Sequence, residues 1–334
     1  MNLHLGETVR IFLKTLPFVI VRAGIYSAFG LAALAYAGAV LGLAALFAKV
    51  GGGAGGLMAL VVVVLGLGGG WGLVGLARSW LLHVVKVGHV AVATAYLTAG
   101  ELPAGESQYD VGKRLVLEQF VDVNLLFVLD GLVKGSTRAV NRQIENVSAW
   151  IPIPGIEGLA QWAQRVVAAA MNFVDETVLS YSLHKKQKNV WQSALEGVVL
   201  YAQSYQHVLA NAVVMAIAGW ASFGVIVLAL GIFFWPISYS LGAGHGTLQS
   251  VVFLLPFLFG YVLKLSIVNP FVMISVLVTF YKHALGQPIS AEWQARIERA
   301  SDKFRELQQR ARDFVAQPPG AAADDSLRPA PPPA

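Results

Sequence analysis

Residues 123–134 read VNLLFVLDGLVK and residues 172–181 read NFVDETVLSY, within a region from Ser107 to Gln206 that is flanked on each side by two very hydrophobic segments. In both stretches apolar residues recur at the spacing of an α-helix. Charged residues interrupt them too often for a bilayer crossing, because ionised side chains are costly in hydrocarbon. We therefore predict that this region is a helical layer that lies against the inner face of a membrane and joins two membrane hairpins.

The composition excludes an ordinary soluble protein. Of 334 residues, 56% are hydrophobic and 13% are charged, whereas roughly a quarter of the residues of a soluble domain are charged. Runs such as Leu57–Ala77 have the length of about 20 residues that crosses a bilayer core. The predicted fold class is an all-α integral membrane protein with four transmembrane helices in two hairpins joined by a helical cytoplasmic layer.

The charge and the cysteine count exclude several kinds of site. Basic cytoplasmic loops explain the net charge of +5, and the absence of a basic patch interleaved with aromatic residues argues against a nucleic-acid partner. The chain has no cysteine, which excludes disulfides, thiolate nucleophiles and iron–sulfur clusters.

The apolar segments and their breakers predict six parts of the chain. The second membrane helix is expected to continue from Leu57 to about Thr98, because no strong helix breaker interrupts it. We expect the third to run from Leu209 to Trp235 and to end at Pro236, and the fourth to be kinked at Pro270. The predicted parts are a lead-in at 1–15, a hairpin at 16–98, the helical layer at 99–206, a hairpin at 207–286, a charged cytoplasmic helix at 287–316 and a disordered tail at 317–334. In the charged part, Ser290 is expected to cap a solvent-facing helix from Ala291 to Phe314.

The basic residues predict the orientation. Nine Lys and Arg residues lie in 99–206 and eight more lie from Lys282 onward, whereas the loop after the first segment holds only Lys49 and the loop after the third holds none. Since Lys and Arg are enriched on the cytoplasmic side, both termini and the helical layer are expected in the cytoplasm.

The two hairpins share small features that leave a duplication open. The stretch AGIYSAFG at residues 23–30 is similar to AGWASFG at residues 218–224, and the Tyr-to-Pro spacing is the same at Tyr96 and Pro103 as at Tyr281 and Pro288. Such a parallel repeat would have its axis along the membrane normal. Pairs of small and aromatic residues are also common in membrane helices, so chance similarity explains the match equally well.

Ionisable residues near the apolar helices are the first candidates for function. His89 lies in a long apolar run and is the expected interior group, whereas Arg22, Lys86 and Lys264 suit snorkelling to the headgroups. His83 and His89 are six residues apart, on different helix faces, and therefore do not form a metal pair.

A second set of candidates lies in the helical layer. Asp130 and Lys134 have the spacing of an intrahelical ion pair, and Arg142 continues their face of the helix. That face either looks into the cytoplasm or lines a cavity as a polar stripe.

Asp175 and Glu176 are the remaining candidates. As adjacent residues they point about 100° apart on a helix, so they cannot act together as an acid–base pair. A structural role is expected, with Arg165, Lys185 or Lys186 as the partner.

Motifs of catalysis and of cofactor binding are missing. The chain has no His-x3-His pair, no Gly-x-Ser-x-Gly turn, no phosphate-binding loop and no dinucleotide fingerprint. We therefore expect that the protein is not an enzyme and that it uses no cofactor and no metal.

A series of short motifs lies within roughly residues 85–210: Gly88-His89-Val90, Gly112-Lys113-Arg114, Val123-Asn124, Leu126-Phe127, Asp130, Leu132-Val133-Lys134, Asn141-Arg142, Ile153-Pro154-Gly155, Val174-Asp175-Glu176, Leu179-Ser180-Tyr181 and Tyr201-Ala202-Gln203. With these motifs the middle of the chain resembles an uncharacterised family of bacterial polytopic membrane proteins of unknown activity, which implies a bacterial inner membrane as the location. One further helix, with Asn189, Ser193 and Ala194, is similar to choline-transporter-like proteins.

Two hypotheses for the function follow. In the first, the protein is a non-enzymatic scaffold or subunit of a membrane assembly, whose partners are membrane lipids and either copies of itself or other membrane proteins. In the second, it is a transporter or channel for a small solute or lipid. The membrane segments contain no acidic residue, which argues against a proton-coupled carboxylate relay and favours the first.

Overall fold

A computed structural model of the chain describes residues 3–119, 123–143, 157–185, 187–242 and 246–316, and the regular elements within these ranges are all helices. The predicted all-α fold is confirmed. The helices are α1 (Leu5–Lys14), α2 (Leu16–Val50), α3 (Gly55–Ala99), α4 (Gln108–Gln119), α5 (Val123–Gln143), α6 (Glu157–Lys185), α7 (Val190–Ser240), α8 (Gly246–Leu263), α9 (Asn269–Ala284), α10 (Ala291–Ala300) and α11 (Asp302–Ala316), with a 3₁₀ turn at Gly52–Ala54 and a π-helical turn at Lys264–Val268.

Four helical segments are long and apolar enough to cross a membrane, as predicted. They are Leu16–Val50, Leu81–Ala99, Val190–Ser240 and Leu248–Ala284, and a shorter apolar stretch occupies Gly52–Gly66. Helix α3 is continuous over 45 residues, which at about 1.5 Å per residue is roughly twice the thickness of a bilayer core. These features are compatible with a multi-pass membrane protein.

Helix α7 is longer than the sequence predicted. It begins at Val190 and continues through Pro236 to Ser240, instead of running from Leu209 to Trp235. Asn189 caps its start, because the Asn189 Oδ1 accepts a hydrogen bond from the Gln192 N–H at 3.1 Å. The missing N–H of Pro236 leaves the Ile232 carbonyl without its usual donor, and α7 ends at Ser240, one turn after the proline.

Pro270 is accompanied by a change of helix type. The π-helical turn Lys264–Val268 immediately precedes it, and the Asn269 N–H bonds to the Lys264 carbonyl. In an α-helix the proline at 270 would leave the Ser266 carbonyl without its donor, and a π turn widens the helix at that point. The expected local distortion is therefore a π-helical turn in the structure.

The chain separates into two compact units. The packed unit comprises the described residues of Met1–Ile11, Val90–Ile217 and Val272–Ala334, and the apolar unit comprises those of Phe12–His89 and Ala218–Phe271. The boundaries of these units fall inside the helices α1, α3, α7 and α9, so they differ from the boundaries that hydropathy suggested.

The apolar unit is held together by close approach of its helices. The Tyr36 hydroxyl donates to the Gly66 carbonyl at 2.7 Å, and a Cβ added to Gly66 would lie 2.8 Å from Val40 Cγ1. Small residues permit such contact between membrane helices. Most large apolar side chains of α2 and α8 are exposed, which is expected of helices that face lipid.

In the packed unit, α10 and α11 lie on α5. The sequence predicted a single solvent-facing helix from Ala291 to Phe314, and that prediction was wrong. The chain breaks at Ser301, whose hydroxyl caps α11 by accepting from the Phe304 N–H at 3.1 Å. The predicted cap at Ser290 is confirmed, because its hydroxyl accepts from the Trp293 N–H at 3.2 Å.

The prediction of a solvent-facing helix failed because α10 and α11 each have an apolar face that is buried. Ile297, Phe304, Leu307 and Ala311 recur on one side and are buried, while the charged residues form ion pairs on the other side, as between Arg310 and Glu306 at 3.0 Å. The high charge hid an amphipathic pattern that buries one face. The predicted tail at 317–334 and the motif at 153–155 lie outside the described residues.

Substitution of Gly51 or Gly55 tests the turn between α2 and α3. A Cβ on Gly51 would lie 2.6 Å from the Gly55 Cα, and one on Gly55 would lie 2.8 Å from the Ala48 carbonyl oxygen. Because the opposing atoms are backbone, Gly51→Ala and Gly55→Ala should each lower the free energy of unfolding by about 1–3 kcal/mol. Thermal unfolding in detergent measures the effect. Gly53→Ala is the matched control, since nothing lies within 4 Å of its added Cβ, and an equal loss there would contradict the prediction.

Truncation of Phe304 tests the docking of α11. Phe304 is fully buried, so Phe304→Ala should destabilise the packed unit by about 3–5 kcal/mol and make α11 more susceptible to limited proteolysis. Val315→Ala is the control, because Val315 is 75% exposed on the same helix. Equal proteolysis of the two variants would show that α11 is not held by its apolar face.

Candidate functional site

The buried polar residues of the packed unit contact one another across helices. On α5 and α6, the Thr137 hydroxyl donates to Asp175 Oδ1 at 2.6 Å, and both residues are buried. One turn along α5, Asn141 Oδ1 accepts from the Tyr201 hydroxyl of α7 at 2.9 Å, and its Nδ2 lies 2.5 Å from the Met171 sulfur. We call these residues the Asp175 cluster, and they tie α5, α6 and α7 together.

A second group of buried hydroxyls joins α6 to α3 and α9. The Ser180 hydroxyl of α6 lies 2.5 Å from the Thr94 hydroxyl of α3 and donates to the Tyr281 hydroxyl of α9 at 3.0 Å. All three residues are buried. We call them the Ser180 cluster. Each cluster provides polar groups with partners inside the protein, which is the arrangement that buried polar side chains require.

Of the basic partners expected for Asp175 and Glu176, Lys186 lies outside the described residues and Arg165 is exposed. Lys185 forms an ion pair with Glu196 at 3.6 Å, and the Tyr181 hydroxyl donates to the same carboxylate at 3.2 Å. Burial and the neighbouring Glu196 raise the pKa of the Tyr181 hydroxyl. Glu176 is buried beside Asp175, and Thr137 is a partner of Asp175 that was not predicted from the sequence.

The predicted ion pair on α5 is present. Lys134 Nζ lies 2.5 Å from Asp130 Oδ2, with both side chains partly exposed. Arg138, one turn further, is exposed, and the side chain of Arg142 lies outside the described residues. The pair contributes little to stability in an exposed position, where such pairs are worth up to about 1 kcal/mol.

In the apolar unit, His89 is the interior group that the sequence predicted. It is fully buried, its ring stacks on Phe18 at a centroid distance of 5.4 Å, and neither ring nitrogen has a hydrogen-bond partner. Gly88 permits the stacking, because a Cβ there would lie 3.3 Å from Phe18 Cε1.

Lys264 was expected to extend to the headgroups, and that expectation was wrong. Its side chain is buried, Nζ donates to Asn269 Oδ1 at 3.1 Å, and it lies 4.4 Å from the centre of the Trp220 ring. The aromatic face and the amide oxygen thus hold the ammonium inside the unit. Asn269 follows Lys264 by five residues, but Trp220 lies far before it on another helix, and local spacing does not reveal that contact.

The packed unit also contains a cavity of about 180 Å³ between α3, α4 and α6, whose polar lining includes Thr94, Glu101, Arg114 and His184. Arg114 forms ion pairs with Glu106 at 2.9 Å and with Glu118 at 3.4 Å. The hydrogen bond from Arg114 to Glu106 is the main cause that raises the pKa of the guanidinium. Since both carboxylates engage Arg114, it is a structural cation at the cavity rim.

The sequence-predicted residues therefore do not form one constellation. Asp130 and Lys134 pair with each other, Asp175 and Glu176 belong to the packed interior, and His89 and Lys264 lie in the apolar unit. Within the ranges that the structure describes, no group of three His, Cys, Asp or Glu residues is placed to hold a metal ion. Comparison of the chain with protein-family models, with curated proteins and with solved structures found no match.

Replacement of Thr137 by valine tests the Asp175 cluster. Thr137→Val keeps the side-chain volume and removes the donor to the buried Asp175 carboxylate, so the free energy of unfolding should fall by about 1.5–3 kcal/mol. Thr137→Ser retains the hydroxyl and is the matched control, with a smaller loss expected. Thermal unfolding in one detergent compares the three proteins. Equal stability of the valine variant and the wild type would show that the hydrogen bond is dispensable.

Proposed function

We propose that the protein is a non-enzymatic, multi-pass protein of the bacterial inner membrane that acts as a scaffold or subunit of a membrane assembly through its packed unit. The observation that carries this proposal is the bonding of buried polar side chains to one another in the Asp175 and Ser180 clusters. Polar groups committed to contacts between helices rigidify a structure and specify one arrangement. They are not arranged to transform a substrate.

The ends of the helices support the same role. Asn189 Nδ2, at the start of α7, donates to the Ala311 carbonyl of α11 at 2.8 Å, and the Arg310 guanidinium lies over the Trp191 ring. Gln203 Oε1 of α7 also accepts from the Ser290 N–H, before α10, at 3.0 Å. The C-terminal helices are thus fixed to α7 at several points, and they enlarge the rigid surface of the packed unit.

The basic residues support the proposed orientation. The Lys and Arg residues of 99–206 and of the segment after Lys282 outnumber those of the two short loops between paired apolar helices. Under the positive-inside rule, residues 99–206 and both termini lie in the cytoplasm.

One observation favours transport as a second candidate. The π-helical turn at Lys264–Val268 interrupts an apolar span and positions the buried Lys264, and π turns occur often at functional sites. Against it, residues 12–89 and 218–271 contain no aspartate or glutamate. A transporter built on this unit would have to work without the carboxylates that proton- or cation-coupled carriers use.

The mass and composition of the particle extracted from its native membrane in a mild detergent decide between the two. A scaffold or subunit should be extracted with other proteins in fixed stoichiometry. A particle that contains copies of this chain alone would contradict assembly with other proteins and make solute flux in liposomes the next measurement. In that case a transporter should lose flux on His89→Ala, whereas Gly53→Ala, at the α2–α3 turn, should retain it.

A further inference from the structure

The apolar unit contains a buried arginine that the proposed function does not use. Arg22 lies on the buried face of α2 with Phe18 and Val19, and only 6% of its surface is exposed. Within the part of the chain that the structure describes, Arg22 has no ion pair, and its guanidinium donates no hydrogen bond to the protein. A largely buried cation without an anionic partner is unfavourable, and a bound anion would relieve that cost.

The unit itself has no anion to offer. Its charged residues are all basic, namely Lys14, Arg22, Lys49, Arg78, Lys86 and Lys264. A side chain of the unit cannot move to supply an anion either, because neither of its two segments contains a carboxylate. The counter-charge for Arg22 must therefore be a group that this unit does not contain.

His89 supplies a second unsatisfied group beside Arg22. Phe18 is one turn before Arg22 on the same face of α2, and the His89 ring is stacked on Phe18 with an angle of 11° between the planes. Arg22 is the charged group that acts electrostatically on His89. The buried imidazole has two nitrogens without partners, and a neutral imidazole always carries one N–H donor.

We propose that Arg22 and His89 form a binding site for a phosphate group, with the guanidinium donating two hydrogen bonds and the imidazole one. Planar guanidinium groups match phosphate oxygens in pairs, and a phosphate brings the negative charge that the unit lacks. Arg22 lies six residues into α2, about 9 Å along the helix from Leu16, which is close to the level of phospholipid headgroups. This position favours the phosphate of a membrane lipid, and inorganic phosphate has the same chemistry.

The experiment measures thermal unfolding of the delipidated full chain in a mild detergent with three additives. Dioleoylphosphatidylglycerol carries the phosphate, dioleoylglycerol has the same acyl chains without it, and inorganic phosphate lacks the chains. Phosphatidylglycerol should raise the Tm of the wild type by about 5 °C at roughly 100 times its Kd, and dioleoylglycerol should not. Equal protection by dioleoylglycerol would overturn the proposal. Equal protection by inorganic phosphate would confirm the phosphate site and identify a solute as its source.

Arg22→Met and Lys49→Met separate this site from general attraction of anionic lipid to basic protein. Lys49 is an exposed cation at the other end of α2, so Lys49→Met should keep the full shift. Arg22→Met should weaken the apparent affinity for phosphatidylglycerol about tenfold or more, since hydrogen bonds with charged groups are strong. Without lipid, its Tm should equal or exceed that of the wild type, because an apolar side chain replaces an unpaired charge. A retained shift, or a much lower Tm without lipid, would overturn the proposal.

His89→Leu provides an independent variant. It fills a similar space and removes two unpaired nitrogens, so the lipid-free protein should be no less stable than the wild type. Its affinity for phosphatidylglycerol should fall about threefold to tenfold, by the loss of one hydrogen bond. An unchanged affinity would exclude His89 from the site and overturn the two-residue proposal.

Discussion

The hydroxyl of Ser180 connects parts of the chain that are 86 and 101 residues away from it. It lies between Thr94 on α3 and Tyr281 on α9, and each of these helices contributes to a segment that is apolar enough to cross a membrane. The Thr94 hydroxyl also donates to the Val90 carbonyl of its own helix at 2.6 Å, whereas the Ser180 hydroxyl bonds to residues on two other helices. Burial of a hydroxyl favours a packing in which it is bonded, so Ser180 favours the arrangement in which these three helices meet. The Asp175 cluster repeats the principle with a carboxylate, an amide and a phenol. Polar contacts of this kind fix which helix lies against which, since apolar contacts alone are non-directional.

The two units therefore differ in the kind of contact that determines how their helices pack. In the packed unit, hydrogen bonds between side chains select the arrangement, and the C-terminal helices are fixed by an apolar face and by contacts to Asn189 and Trp191. In the apolar unit, close approach at glycine sets the contacts, as at Gly66 and Gly88. The polar groups of that unit differ from one another. Lys264 is bonded to Asn269 and lies over Trp220, whereas Arg22 and His89 have no side-chain hydrogen-bond partner among the described residues.

Local sequence predicted the features that depend on local physics. Apolar length predicted the four candidate spans, the four-residue spacing predicted the Asp130–Lys134 pair, and the side chain of Ser290 predicted a helix cap. The start of α7 was missed because hydropathy marks where an apolar segment begins, and a helix can begin 19 residues earlier at the cap Asn189. The docking of α11 had a signal in the spacing of Ile297, Phe304, Leu307 and Ala311, which the many charges obscured. The partners Thr137, Thr94 and Tyr281 could not be predicted, since nothing in their neighbourhood specifies which distant residue they meet.

The 51-residue length of α7 has a consequence for how the chain can vary. The Tyr201 hydroxyl of this helix donates to Asn141 at 2.9 Å, and ten residues further on Asn211 accepts a hydrogen bond from Ser275 at 3.3 Å. Each residue of an α-helix rotates the next by about 100°. One residue inserted between positions 201 and 211 would turn one of these side chains away from its partner, whereas seven residues, nearly two whole turns, would restore the facing to within about 20°. Insertions and deletions should therefore be excluded from this helix and confined to connections such as residues 100–107. Homologous chains should then differ in length at their loops, while the same residues of α7 continue to face their partners.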